Sequence, residues 1–213
     1  MTRTPTRLLL ATLAAAAALA CVSACAPIVV GGAALGSMVA VDRRTSGTQL
    51  EDEGIDLRAT ARLREVLGER IHVNVSSYNR QVLLTGEVPS EREKQQAEQL
   101  VSRVENVKTI VNELGVMGIS TLAQRSSDAL VTGKVKASLV DDRELYAGAF
   151  RIVTERGTTY LMGRVTQREA ARATELTRSV GGVQKVVRLF EIITDQELQQ
   201  IAPSQSRPAN AGR

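Results

Sequence analysis

Apolar and polar positions along this chain fall into one arrangement that occurs twice. In Val82-Leu83-Leu84-Thr85-Gly86-Glu87-Val88, alternate residues Val82, Leu84, Gly86 and Val88 share a face, the pattern of a half-buried strand. The same spacing returns, offset by 77 residues, in Thr159-Tyr160-Leu161-Met162-Gly163-Arg164-Val165. Ser90-x-x-Glu93 and Thr166-x-x-Glu169, offset by 76, both have the form of a capping box that opens a helix. Beyond them Ala97, Leu100, Val104, Val107, Ile110 and Val111 match Ala173, Leu176, Val180, Val183, Val186 and Val187. Such self-similarity marks a structural unit made more than once.

The first unit spans about 54–117. Asp56 is placed to cap a helix with an apolar stripe of Ala59, Leu63, Val66 and Leu67, ended by Gly68. Ile71, Val73 and Val75 alternate with His72 and Asn74 as a strand, and Tyr78 to Gln81 form the turn into Val82–Val88. Gly86 on the inward face implies close approach by a helix or another backbone. The helix after Ser90 carries Ala97, Leu100, Val101 and Val104 on one side, and Val107 to Leu114 read as a third strand. The second unit spans about 124–194. Asp128 lies 72 residues after Asp56, and Val131, Val135 and Leu139 follow Ala59, Leu63 and Leu67 at that offset. On that alignment about five extra residues, around Asp141 to Gly148, precede the strand of Phe150, Ile152 and Thr154. A hairpin at Gly157, the second strand, the Thr166 helix to Val180 and the strand Val183 to Ile193 complete it. The expected class is α+β: two tandem αββαβ modules, each a three-stranded sheet with two helices packed on it. Residues 195–213, with Pro203 and Pro208, are expected to be disordered.

The N-terminus follows a different logic. Arg3 and Arg7 precede an apolar run from Leu8 to Ala20 and then small residues, so residues 1–24 read as a secretory signal. The run is too short for a confident membrane span. Val22-Ser23-Ala24-Cys25 resembles the bacterial lipobox, which implies cleavage before Cys25 and acylation of its sulfur. Several acyl chains hold a protein stably where one does not. Cys21 leaves with the signal, so no disulfide is expected in the mature chain. In enteric-type lipoproteins an Asp after the Cys signals inner-membrane retention, so Ala26 favours the outer membrane. Residues 25–53 read as the lipidated Cys and a tether, apolar from Ala26 to Val41 and polar from Asp42 to Glu53. The apolar half either lies on the bilayer or is a flexible spacer.

Composition narrows the chemistry. Aromatic residues are 2% of 213, so the cores are aliphatic. Without Arg3 and Arg7, 25 basic residues face 23 acidic ones, too weak a balance to argue for nucleic acid. His72 is the sole histidine and reads as a solvated strand residue, and no Ser/His/Asp or Cys/His arrangement can be assembled. Asp141-Asp142 reads as a solvated loop rather than a metal site. Gly31-Gly32 and Gly181-Gly182 do not form a phosphate loop. Arg168, Arg172 and Arg178 fall on the exposed side of a helix, where they serve solubility or a partner. No enzyme activity, cofactor or metal is expected.

An Asp-led helix, a strand, a V-x-L-x-G-x-V strand, a capped helix and a G-V-x-x-V strand together resemble the BON domain, and the resemblance covers nearly all of the mature chain. Its most specific pieces are Asp42-Arg43-Arg44-Thr45-x-Gly47-Thr48-Gln49, Val82 to Gly86, and Tyr160-Leu161-Met162-Gly163-x-Val165-Thr166-x-Arg168-Glu169-Ala170. Two such modules behind a lipobox imply a non-enzymatic lipoprotein, lipid-anchored in the outer membrane and facing the periplasm. They also imply binding of anionic phospholipid through the second module, in the service of outer-membrane integrity. In that family the first helix of the second module contacts lipid. Here that helix is Asp128 to Val140, and Leu130, Gly133, Lys134 and Ala137 are its expected phospholipid-contact residues. The best-known example carries Trp where Leu130 stands, and Trp is the stronger interfacial anchor. The alternatives are a lipid-anchored scaffold for envelope or cell-division proteins and an envelope-stress chaperone.

Overall fold

The computed structural model describes residues 42–201. The expected signal, Cys25, the apolar segment to Val41 and the chain after Ile201 lie outside the described residues. The first helix, α1, runs Ser46–Leu67, so the polar half of the expected tether is folded. Thr45 caps it by accepting the Thr48 N–H, and Gly68 ends it at φ 68°. Asp56, expected to cap, sits in mid-helix. The buried stripe is Ile55, Ala59, Leu63 and Leu67, spaced by four, while Val66 is exposed.

Strands β1 (His72–Tyr78) and β2 (Gln81–Val88) form an antiparallel hairpin. Asn79 and Arg80 turn it with φ of 51° and 67°, the positive pair that matches strand twist. Helix α2 (Glu91–Ser102) then crosses to β3 (Thr109–Asn112), parallel to β2. Ser90 caps α2 by accepting the Arg92 N–H, one position short of the expected capping box. After a break at Glu113-Leu114, β4 (Gly115–Val116) resumes on the same side of β2. Gly86 has φ 112°, and a Cβ there would sit 2.0 Å from the His72 carbonyl oxygen. The close approach foreseen at this glycine is therefore the neighbouring strand's backbone.

The second module repeats the plan. Helix α3 (Leu122–Asp141) opens on a complete Thr121/Gln124 capping box, six residues before the expected start at Asp128. Strands β5 (Phe150–Glu155) and β6 (Thr158–Val165) are antiparallel, α4 (Gln167–Ser179) opens on the Thr166/Glu169 box, and β7 (Lys185–Ile192) is parallel to β6. A Cβ on Gly163 would lie 2.5 Å from the Ala149 carbonyl, the counterpart of the Gly86 contact. A short helix, α5 (Asp195–Ile201), follows, capped by Thr194, which accepts the Glu197 N–H. The expected disorder from residue 195 is thus corrected as far as Ile201.

The modules align differently from the sequence reading. Asp52, not Asp56, is the counterpart of Asp128. Asp52 accepts the N–H groups of turn residues Asn79 and Arg80, and Asp128 those of Arg156 and Gly157. The buried positions Ile55, Ala59 and Leu63 then match Val131, Val135 and Leu139 at an offset of 76. The expected 72 was wrong by one helical turn, a slip that leaves an i, i+4 stripe unchanged. The expected five-residue insertion before β5 shrinks accordingly.

Each sheet carries its two helices on one face. Val82, Leu84 and Val88 meet α1 and α2, while Leu161 and Val165 meet α3 and α4. The opposite faces meet each other: Tyr78 and Leu83 of the first module pack with Tyr160 and Met162 of the second, flanked by Val111, Val153, Val187 and Leu189. This third cluster buries β2 and β6 on both faces and joins the two modules in one compact unit.

Candidate functional site: an exposed helix face and the seam behind it

On α3 the inward positions Val131, Val135 and Leu139 are buried, which turns Leu130, Gly133, Lys134 and Ala137 to solvent. These four lie at i, i+3, i+4 and i+7, one face of the helix. Leu130 is 68% exposed, so it does not pack against the first module. Lys134 makes no ion pair among the described residues. Nothing lies within 4 Å of a Cβ built on Gly133. The face therefore offers an uncovered Leu, small neighbours and an uncommitted ammonium.

The Asp42-to-Thr45 segment before α1 is a strap. Arg43 is 5% exposed and forks onto Glu169, with Nη1 and Nη2 donating at 2.8 and 2.6 Å; Nη1 also donates to the Arg164 carbonyl at 2.9 Å. Burial pushes the Glu169 carboxyl up, but Arg43 and the Thr166 N–H outweigh it and hold the group below its usual range. Arg44 bonds Asp42 and Asp52 and stacks on Tyr78, its guanidinium carbon 4.4 Å from the ring centroid. So Arg43 and Arg44 bind both modules, Asp52 in the first and Glu169 in the second. The motif was visible in the sequence; its partners were not, because they lie 8 and 126 residues away.

Two of the three arginines of α4 are committed locally, while Arg178 makes no ion pair among the described residues. Arg168 pairs with Glu144, and Arg172 with Asp142 and Glu175. Asp142, weighed as a loop acid, accepts the Glu144 N–H and holds Arg172, so it is a loop staple.

The seam beside the apolar cluster is polar. His72 is not a solvated strand residue: its side chain is 16% exposed, with Nδ1 2.9 Å from Glu87 Oε2. Glu87 is fully buried and accepts from Arg156 Nε at 2.5 Å and from the Ser120 N–H and hydroxyl at 3.2 and 3.1 Å. Burial raises its carboxyl, but these donors hold it below the ordinary range. Glu155, across the seam, accepts from Asn74 at 2.9 Å; burial dominates there and pushes its carboxyl up. Ligand atoms from His72, Glu87 and Glu155 lie within 4.8 Å of one another. Sequence reasoning missed both glutamates. Their strand positions alternate with core residues and read as solvent-facing, because the seam that buries them is formed by residues about 70 apart.

The chain matches the family model for the BON domain twice, over residues 55–118 and 127–194. It is 36% identical over 172 residues to the outer membrane lipoprotein DolP of Haemophilus influenzae, covering 79% of this chain and 89% of that one. It is 32% identical over 155 residues to the 21 kDa hemolysin of Actinobacillus pleuropneumoniae, covering 72% of this chain and 80% of that one. The C-terminal domain of CdsD, a structural protein of the type III secretion system of Chlamydia trachomatis, aligns over 63% of this chain and 96% of its own at 11% identity and a TM-score of 0.28, a likeness too low to carry an argument. Both repeats fold as αββαβ modules and both are matched in turn: the chain belongs to the BON-domain family.

Proposed function

We propose that this protein is a lipid-anchored outer-membrane lipoprotein that faces the periplasm, binds anionic phospholipid through α3 and helps maintain outer-membrane integrity. The relative named an outer membrane lipoprotein supports the location, as do the lipobox-like Val22 to Cys25, which lie outside the described residues. One observation carries the lipid reading: Leu130 stands 68% exposed beside Lys134 while the same helix sends Val131, Val135 and Leu139 into the core. A Leu entering the acyl boundary gains a sizeable part of the roughly 1.5–3 kcal/mol of full burial. A lysine at an anionic surface adds about 1 kcal/mol. Binding is shallow, peripheral and salt-sensitive, with the acyl anchor raising the local concentration.

The test is flotation of residues 26–213 with phosphatidylglycerol-containing or zwitterionic vesicles. The expected result is flotation with anionic vesicles only, weakened by salt. Leu130→Glu should cut it at least tenfold with circular dichroism unchanged, since each 1.4 kcal/mol is tenfold. Binding that survives this substitution removes the face from consideration.

A second reading, a lipid-anchored scaffold for envelope or cell-division proteins, has its own observation. On α1 Leu50 and Leu57 are 70% and 73% exposed at i, i+7 spacing, with exposed Ala61 one turn beyond. Leu57→Ser should then abolish a partner's binding and leave vesicle flotation intact.

A further inference from the structure

The polar seam does more than join two sheets. Glu87 and Glu155 face one another across it as buried carboxylates. The only guanidinium bonded to this group is that of Arg156, at Glu87, among the described residues. The seam thus buries more negative than positive charge, an arrangement that a bound cation relieves. A mixed set of one imidazole and two carboxylates suits a borderline transition ion such as Zn²⁺, whereas Ca²⁺ and Mg²⁺ call for six or more oxygens.

We propose that His72, Glu87 and Glu155 bind a divalent transition-metal ion, of the Zn²⁺ class, that bridges the two modules. Their ligand atoms already converge to within 4.8 Å, and small side-chain rotations close this to the roughly 3.5 Å between ligands of a tetrahedral zinc. His72 Nδ1 and Glu87 Oε2, now 2.9 Å apart, turn from each other to the ion, and the ring proton then resides on Nε2. The fourth position is left for water.

Two features beyond the triad point the same way. The supporting shell is in place: Ser120 and Arg156 fix Glu87, and Asn74 fixes Glu155 through Oε2, leaving Oε1 without a hydrogen bond among the described residues. On the same face of β2 as Glu87 stands Thr85, opposite Asn74 in register and two residues from Glu87. It is 1% exposed, and its hydroxyl is the sole buried side-chain polar atom without a hydrogen-bond partner among the described residues. A metal-bound water supplies the partner that hydroxyl lacks. A groove of about 780 Å³, lined by Arg64, His72, Asn74 and Arg125 among others, reaches the His72 end of the cluster.

The test uses chelator-stripped residues 26–213, which hold no cysteine, so that no thiol competes, titrated with ZnCl₂ by calorimetry and with CoCl₂ by visible absorption. The expected results are one equivalent bound, a Co²⁺ d–d band of low-symmetry coordination, and a Tm raised by about 5–10 °C at a hundredfold excess over Kd. Glu155→Gln, an isostere that still accepts from Asn74, should weaken binding at least tenfold with its circular dichroism unchanged. His72→Gln should do the same and carries the test if the first variant does not fold. No saturable Zn²⁺ binding, or binding equally tight in both variants, overturns the proposal. Vesicle binding plays no part in these readouts, so the phospholipid reading stands or falls separately.

Discussion

Arg43→Ala should be among the costliest single truncations in the described chain, although the sequence places Arg43 in a tether. The substitution removes two charged hydrogen bonds to Glu169, at 2.6 and 2.8 Å, and one to the Arg164 carbonyl. Stranding one member of a buried pair costs about 3–5 kcal/mol. Glu169 keeps the Thr166 N–H and hydroxyl, at 2.8 and 3.1 Å, which lowers the penalty. A net loss of about 3 kcal/mol follows, or roughly 6–12 °C in Tm at 2–4 °C per kcal/mol for a chain of this size. The pH dependence has a definite sign. The folded Glu169 carboxyl lies below its usual 4.5, so its contribution is full above that pH and is lost as pH falls through the folded value. The gap between wild type and Arg43→Ala should be widest at pH 7 and narrow on acidification below about 4.5. Thermal unfolding followed by circular dichroism at pH 7 and pH 4 measures both. A shift under about 1 °C at pH 7, or a gap that does not depend on pH, would show that the strap binds nothing of consequence.

Two further substitutions test the packing. Gly86→Ala places a methyl 2.0 Å from the His72 carbonyl at a φ of 112°, combining backbone strain with overpacking for about 3 kcal/mol or more; an unchanged urea midpoint would show that β1 yields freely. Met162→Ala opens a void between the sheets where Met162 is fully buried, at about 2–5 kcal/mol, and wild type should unfold in one calorimetric transition because the shared cluster couples the modules; two transitions in wild type would contradict that coupling.

The particular elements show where reading from sequence succeeds. The β2 and β6 pattern identified the hairpins because alternation reports one buried face directly, and Gly86 announced a close backbone approach that the structure repeats at Gly163. The Thr166/Glu169 box was legible because its partners are three residues apart. The exposed face of Leu130, Gly133, Lys134 and Ala137 followed from the buried stripe of the same helix. The start of α1 at Ser46 was missed because Asp56 looks like a cap; Asp52 and Asp56 are mid-helix acids that reach the β1–β2 turn and the Ser77 N–H. The one-turn misalignment of the modules arose because a four-residue slip preserves the apolar stripe, and only the carboxylate-to-turn bonds of Asp52 and Asp128 fix the register.

By itself the sequence determined the twofold αββαβ repeat, the strand and helix periods, the family, and the side of α3 left to water. Each depends on local spacing, which a short window contains. Only the tertiary structure decided that the sheets pack back to back, that Arg43 and Arg44 strap the entering chain onto both modules, and that His72 meets Glu87 and Glu155 in one buried seam. Those contacts join residues tens of positions apart, and burial on a strand's second face leaves no periodic trace when polar residues such as Thr85 and Glu87 occupy it.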